Sequence, residues 1–344
     1  MSSMGLYVTE RVKNRVWYLP VGEQAYARYF EDNLNCPYGL AWSPQDTLII
    51  ADKMNHRLVE VSETSRVIQT MDTNGRRRSS CAHRVDYPWC PTSLCSEPDG
   101  SWLVSYSDDN AIYRIHPSGR LELVVGLDAG RHLRFSGSRD TIPAAEAHDH
   151  PLLHPTALIR DEKGGLYFVE RMFQVIRYYH PLEGTRCVFE QSRRDDWKFD
   201  SLDQVLPDVL HRQEYHPTYP TSLAIDARGH LYIADALQQS VWRLSEDRLT
   251  RIYRSIAAGP AGPAALTWGP DQTLWILDHN DTVVVGMTLN HQGDPVHERR
   301  VPLPTTFHAG NAYGAGMTWG QSLTHPGFQM YTPTSPRLAW ISTH

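Results

Sequence analysis

Residues 217–245 read PTYPTSLAIDARGHLYIADALQQSVWRLS, and three short runs can be cut from them. Residues 222–225 lead into the turn Asp226-Ala227-Arg228-Gly229. Residues 231–235 follow, and after a polar break at Gln238-Gln239 comes the run 240–244. Each run is rich in β-branched, aromatic or aliphatic residues and is bounded by turn chemistry, so each reads as a strand. Glycine closes the Asp-x-x-Gly turn because it takes a tight or left-handed backbone without steric cost. A fourth run, 249–253, lies beyond Glu246-Asp247. Four antiparallel strands in so short a stretch form a sheet too small to bury its own faces.

The same unit recurs at residues 36–62, 90–119, 154–181 and 262–288. Its opening prolines are Pro37, Pro91, Pro155, Pro220 and Pro263, spaced by 54, 64, 65 and 43 residues. A weaker sixth start lies at residues 313–319. Small sheets repeated at this period predict an all-β fold, a β-propeller in which each sheet buries its faces between its neighbours. First strands number six. Hairpins of second and third strands number seven if residues 328–331 and 337–341 are included. Six blades are expected, because the innermost strands define the ring. The N-terminal runs 6–10 and 14–19 match second and third strands, and 25–30 a fourth, so the two ends of the chain should share a closing blade.

The pattern P-x-x-L-x-x-D-x-x-G-x-L-Y-x-x-D, followed by a polar break and R-[VIL], resembles the NHL repeat. The connector through Val125-Gly126, Phe135-Ser136-Gly137, residues 144–147, Leu153 and Pro155 is similar to the inter-blade segment of bacterial NHL proteins. The resemblance covers nearly the whole chain. It implies a propeller fold and leaves function open, since this architecture hosts scaffolds, binders, hydrolases and lyases.

The regular spacing over 344 residues leaves no linker, so one domain, 1–344, is expected. A hydrophobic content of 41% and a charged content of 21% suit a soluble globular protein, and a net charge of −6 argues against a nucleic-acid surface. The start shows no signal-peptide pattern, and no apolar run reaches the length of a membrane span. Five cysteines form an odd set without a CxxC pair, which points to a reducing cytoplasm; pairing of Cys81 with Cys90 is the alternative for an exported protein.

Three long connectors, 71–89, 127–153 and 191–219, join outer strands to the next inner strand and so emerge on one face. Long connectors over a rigid scaffold are where binding and catalysis concentrate. Two rings of positions are expected to face the central channel. The first follows the opening prolines: Tyr38, Thr92, Thr156, Thr221 and Ala264, with Gly314 in the weak copy. Trp89 and Tyr219, near connector ends, join it as substrate-binding candidates. NHL-type amidating lyases, similar in their repeats, place zinc-binding histidines after such prolines; no histidine stands there in this chain.

The second ring closes the second strands: Glu10, Asp52, Tyr106, Glu170, Asp235, Asp278, and Thr332 in the last copy. One reading is structural, a carboxylate accepting hydrogen bonds from turn backbone or from the following arginine, as Asp52 with Arg57. The other is a divalent-cation site, because converging carboxylate oxygens suit Ca²⁺; the gluconolactonase-like and paraoxonase-like propellers, similar in build, hold such an ion. Asp52, Glu170 and Asp235 are the candidate ligands, with His148 and His150 as imidazole donors for Zn²⁺. The catalytic candidates are His154, Glu170, His216, Tyr106 and Arg171. Histidines at x-His-Pro turns, His154 and His216 among them, also have a plain structural reading. The basic run Arg76-Arg77-Arg78 reads as a solvated loop or as a clamp for an anionic ligand. No phosphate loop, GxSxG elbow or dinucleotide fingerprint is present, so no nucleotide cofactor is expected. The expected function is an enzyme acting on a small molecule in the central funnel, by metal-assisted or acid/base hydrolysis, elimination or rearrangement. The alternative is a non-catalytic propeller binding a protein, peptide or small ligand across its upper face.

Overall fold

The computed structural model describes residues 4–21, 27–31, 33–63, 65–68, 90–126, 141–147, 152–189, 198–199, 217, 219–245, 248–257, 259, 262–269, 272–307, 316–323, 326, 328–330 and 341–342. The opening stretch of the sequence analysis supplies the pattern for the rest. Its inner strand Pro220–Ile225 pairs with Leu231–Asp235, which pairs with Ser240–Ser245, which pairs with Arg248–Arg254, all antiparallel. Asp226 builds the first turn: its Oδ1 accepts the backbone N–H of Arg228 and of His230, while Gly229 takes φ of 85°.

Five further sheets repeat this order, giving a six-bladed propeller. Blade one holds Pro37–Trp42, Leu48–Asp52, Arg57–Val61 and Ser65–Ile68. Blade two holds Pro91–Ser96, Trp102–Tyr106, Ala111–Ile115 and Leu121–Gly126, and blade three Pro155–Arg160, Leu166–Glu170, Val175–His180 and Gly184–Phe189. Blade four is the stretch just described. Blade five holds Pro263–Trp268, Thr273–Asp278, Val283–Leu289 and Pro295–Pro302. Blade six closes the ring, with inner strand Met317–Gln321 from the far end of the chain and Met4–Glu10, Arg15–Pro20 and Arg28–Phe30 from the near end.

All five expected prolines open inner strands, and the sixth inner strand starts at Met317. The described residues of the counted seventh hairpin do not pair with each other. Phe328–Met330 lies on the outer strand of blade six, and Ile341–Ser342 lies on the outer strand of blade five. Both are fifth strands that cover sheet edges, a role also taken by Thr141–Ile142 on blade three and Lys198–Phe199 on blade four.

Period-two alternation decides how blades pack. In Leu231–Asp235, Tyr232 and Ala234 pack with Leu274, Ile276 and Val285 of blade five. Leu231 and Ile233 point the other way, against Val169 and Ile176 of blade three. Successive strand residues serve opposite faces, so a strand buried on both sides must be apolar throughout. The other four interfaces follow the same rule, and the ring closes where Leu6, Val8 and Trp17 meet Trp275 and Leu277.

The closure admits no extra atoms at one point. The Thr9 backbone N–H donates to Gly316 O at 3.0 Å, and the Gly316 N–H donates to Thr9 Oγ1 at 2.7 Å. A Cβ on Gly316 would stand 2.2 Å from the Tyr38 carbonyl oxygen. Gly316→Ala is therefore expected to lose about 1–3 kcal/mol through forced backbone displacement, read as a fall of several degrees in the melting temperature. An unchanged melting temperature would refute this account of the closure.

Candidate functional site

Each of the five proline-led inner strands shifts register against its second strand near its start, directly after the opening proline in blades one, two, four and five and after Thr156 in blade three. The extra residue of such a bulge leaves the ladder and is re-aimed. Thr92, Thr221 and Ala264 are those residues in blades two, four and five, and in blade one the bulge takes in Tyr38 and Gly39. Tyr38, Thr92, Thr156 and Thr221 all line a central channel of about 380 Å³, with Arg171 and Tyr219 also on its wall. Ala264 is fully buried, and Gly316 lines the channel in blade six. Gly314 and Trp89 lie outside the described residues.

The hydroxyls of this ring are unequally committed. Thr92 Oγ1 is 3.0 Å from Cys90 O and 2.7 Å from Ser107 Oγ. Thr221 Oγ1 reaches Ala234 O and Pro263 O, bridging blades four and five. Thr156 Oγ1 makes no hydrogen bond among the described residues. The Tyr38 ring lies between two cations, with Arg11 Cζ 4.7 Å and Lys53 Nζ 4.9 Å from its centroid, and its hydroxyl accepts from Arg11 at 2.8 Å.

The turns between second and third strands hold the charged groups at the mouth. Each ends in a left-handed residue, among them Asn14, His56 and Asn110. Asn14 Oδ1 accepts the N–H of Cys36, and Asn110 Oδ1 accepts the N–H of His154, each reaching the residue ahead of the next blade's proline. His56 holds the matching position in blade one and stands 3.5 Å from Cys90 Sγ through Nδ1. Cys36, Cys90 and His154 themselves have φ of 54°, 60° and 50°, uncommon for residues with a Cβ and fixed here by these clasps.

Asp108 gathers the groups of three blades. Its Oδ1 accepts from Ser107 Oγ at 3.2 Å, lies 3.7 Å from Lys53 Nζ and 3.9 Å from His154 Nδ1. Burial holds the His154 imidazole below its ordinary pKa, Asp108 opposes that, and Lys53 and Arg171 reinforce it. The Cys90 thiol is pushed up to about 12 by burial and by Asp108, and burial also raises Cys36. Neither sulfur is a thiolate near neutrality. Across the mouth, Arg171 Nε donates to Tyr219 OH at 2.8 Å.

The second ring does not face the axis and follows the structural reading instead, with Asp52 held by Arg57 as expected. Glu10, Asp52, Tyr106, Glu170, Asp235 and Asp278 are all buried, and none lines the channel. Asp52 accepts from Asn35 N, Asn55 Nδ2 and Arg57 Nε. Glu170 accepts from Leu153 N at 2.9 Å and from Arg177 Nε at 2.5 Å. Asp235 accepts from the backbone of Tyr219 and Gln238, and Asp278 from Tyr253 OH, Ser255 Oγ and two turn amides. The acids staple each turn and connector to its own blade, so Asp52, Glu170 and Asp235 do not converge as a cation cage. Tyr106 has no carboxylate to offer, and its ring packs edge-on against Tyr113 at 5.8 Å. Glu170 and Tyr106, expected near a ligand, thus lie inside their blades. His148, His150, His216 and Thr332 fall outside the described residues. No group of three or more His, Cys, Asp or Glu among the described residues is placed to hold a metal ion.

Of the expected catalytic set, the structure brings His154 and Arg171 to the mouth. It adds Lys53, Asp108 and His56, which sit in polar breaks, and Cys90, which the sequence offers only as a partner for Cys81. The signal was present in Asp52-Lys53-Met54-Asn55-His56 and Ser107-Asp108-Asp109-Asn110, where charged side chains interrupt a turn that Gly or Asn alone could make.

Fold and channel together define a six-bladed β-propeller with its polar groups gathered at one mouth. Among solved structures, the chain is similar to a protein in the nidogen/laminin complex, with a TM-score of 0.60, 14% identity, and coverage of 93% of this chain and 99% of that one. It also resembles a protein of unknown function from Bacteroides caccae, with a TM-score of 0.55, 10% identity and coverage of 93% and 100%. A streptogramin B lyase matches with a TM-score of 0.50, 12% identity and coverage of 92% and 88%. At these identities the likeness is one of fold. No protein-family model and no curated protein matches the chain. No helix is long and apolar enough to cross a membrane among the described residues.

Proposed function

We propose that this propeller is an enzyme of hydrolase or lyase type that takes a small organic acid, or its ester or lactone, into the channel mouth. The observation that carries the reading is the convergence of Asp108, His154 and Lys53, from three successive blades, beside a channel wall holding Arg171 and the uncommitted Thr156 hydroxyl. Lys53, Arg11 and Arg171 supply positive charge for a carboxylate and for an oxyanion developing next to it. His154 is the proton acceptor: its lowered pKa keeps it neutral at pH 7, and Asp108 favours the imidazolium that forms on proton transfer. These steps use side chains alone. The acid ending the second strand in five blades, joined in blades one and six to an arginine opening the third, supports an NHL-type repeat. Four free thiols, Cys36, Cys90, Cys95 and Cys187, support a reducing, cytoplasmic setting.

The test is turnover of a panel of carboxylate-bearing aryl esters and lactones by wild type, His154→Ala and Arg171→Met. His154→Ala is expected to lower kcat about 10²–10⁴-fold, with the melting temperature unmoved. The sign of the pH dependence follows from the depressed pKa: the neutral base is fully present above the ordinary histidine value. Activity should fall only as pH drops below about 6.5, an acid limb that His154→Ala removes. Full activity in His154→Ala would sink the assignment, and saturable binding without turnover would move it to the non-catalytic alternative.

A further inference from the structure

The face opposite the channel mouth carries a second cavity of about 700 Å³, formed by the first-to-second-strand turns of blades three, four and five. Its cations are unbalanced by its acids. Asp161 Oδ1 accepts the Gly165 N–H and its Oδ2 accepts from Tyr178 OH. Asp226 accepts from two turn amides and from Tyr232 OH, and its Oδ2 lies 2.9 Å from His230 Nδ1. Both carboxylates are spent inside their own turns, leaving Glu162, exposed on the lip, as the remaining acid of the lining.

The basic groups are more weakly held. Arg160 Nε is buried and makes no hydrogen bond. Its nearest carboxylate, Glu97, stands 4.0 Å away and is already gripped by Arg114 at 2.6 and 3.1 Å. Among the described residues, the Arg228 guanidinium reaches only the ring nitrogen of His291, at 3.2 Å, and Lys163 makes no ion pair. Beside them the wall is aromatic. Tyr167 and Trp268 line the cavity, and Trp268 Nε1 is another buried donor with no acceptor. Unpaired buried donors next to flat rings call for a ligand that brings acceptors and a flat face of its own.

We propose that this lower cavity is a second ligand site, selective for a small planar carboxylate. Arg160 and Arg228 would take the carboxylate by paired N–H···O bonds, and the ring would pack against Trp268 and Tyr167. The cations of this site are separate from the channel-mouth reading, since Arg160, Lys163 and Arg228 do not line the channel, while Trp268 lines both cavities.

Benzoate is the probe, titrated by calorimetry and by saturation-transfer NMR into wild type, the double variant Arg160→Met/Arg228→Gln, and Arg171→Met. Cyclohexanecarboxylate and phenyl phosphate serve as the non-planar and phosphate controls. Wild type is expected to bind benzoate with a Kd on the order of 1 mM, as befits nine heavy atoms. The double variant should weaken that binding about tenfold or more, and cyclohexanecarboxylate should bind several-fold less well. Arg171→Met should leave the lower-site component unchanged. No saturable benzoate binding, equal binding by the double variant, or loss confined to Arg171→Met each overturns the proposal. Stronger binding of phenyl phosphate would overturn the selectivity for a carboxylate.

Discussion

Glu170→Ala is expected to destabilise the protein by about 3–5 kcal/mol, seen as a shift to lower urea midpoint at pH 7. Glu170 and Arg177 are both fully buried, and their ion pair has no solvent to fall back on. Burial pushes the Glu170 carboxyl up from its ordinary pKa, while Arg177 and the Leu153 N–H pull it down. Truncating the acid leaves a guanidinium buried without its charge partner and frees the Leu153 N–H, which ties the connector to blade three. The double variant Glu170→Ala/Arg177→Met removes the stranded charge and should recover a substantial part of the loss. If the single variant costs less than 1 kcal/mol, the pair does not hold the blade as described.

His279→Phe should make the protein far less sensitive to mild acid. His279 is 5% exposed, neither ring nitrogen has a hydrogen-bond partner, and its ring lies 6.0 Å from that of Phe307. Burial, reinforced by Arg11, lowers its pKa to about 4. A histidine with a depressed folded pKa is harder to protonate folded than unfolded. Its contribution to stability is therefore whole above about 6.5 and is lost as pH falls from there towards 4. That loss amounts to about 3 kcal/mol, and phenylalanine abolishes it. At neutral pH the substitution should be neutral or stabilising by about 1 kcal/mol, because no hydrogen bond is given up. Urea unfolding at pH 7 and pH 4.5 provides the measurement. Equal acid sensitivity in variant and wild type would show that His279 is not the group responsible.

The repeat was legible because a blade's strands are contiguous in sequence and each opens or closes on a residue with a backbone reason to be there. Proline at the inner edge and the acid at the end of the second strand both fell where the pattern put them. The ring after the prolines was legible too, since a bulge after the first pair turns Thr92 and Thr221 inward. What the acids do was harder to read. Strand alternation gives the face of a side chain, whereas the choice between axis and turn rests on donors supplied from elsewhere, such as Asn35 N for Asp52 and Tyr219 N for Asp235. The mouth was least legible. Lys53, Asp108 and His154 come from blades one, two and three, and their meeting depends on the rotation between blades, which no local pattern encodes. Thr141–Ile142 and Lys198–Phe199 escaped notice, being two residues long, and the runs 328–331 and 337–341 read as a hairpin because their partners lie far along the chain.

The closing blade sets a schedule for biosynthesis. Met4–Glu10 pairs early with Arg15–Pro20 on its outer side, but its inner edge finds a hydrogen-bonding neighbour only when Met317–Gln321 has been made. At ribosomal speeds of roughly 5–20 residues per second, that edge waits about 15–60 s after it leaves the exit tunnel. During the wait Leu6 and Val8, which end in the core between blades five and six, have no partner sheet. This strand is thus made about 300 residues before it can be buried, and it is the segment through which a chaperone would most usefully hold the nascent chain.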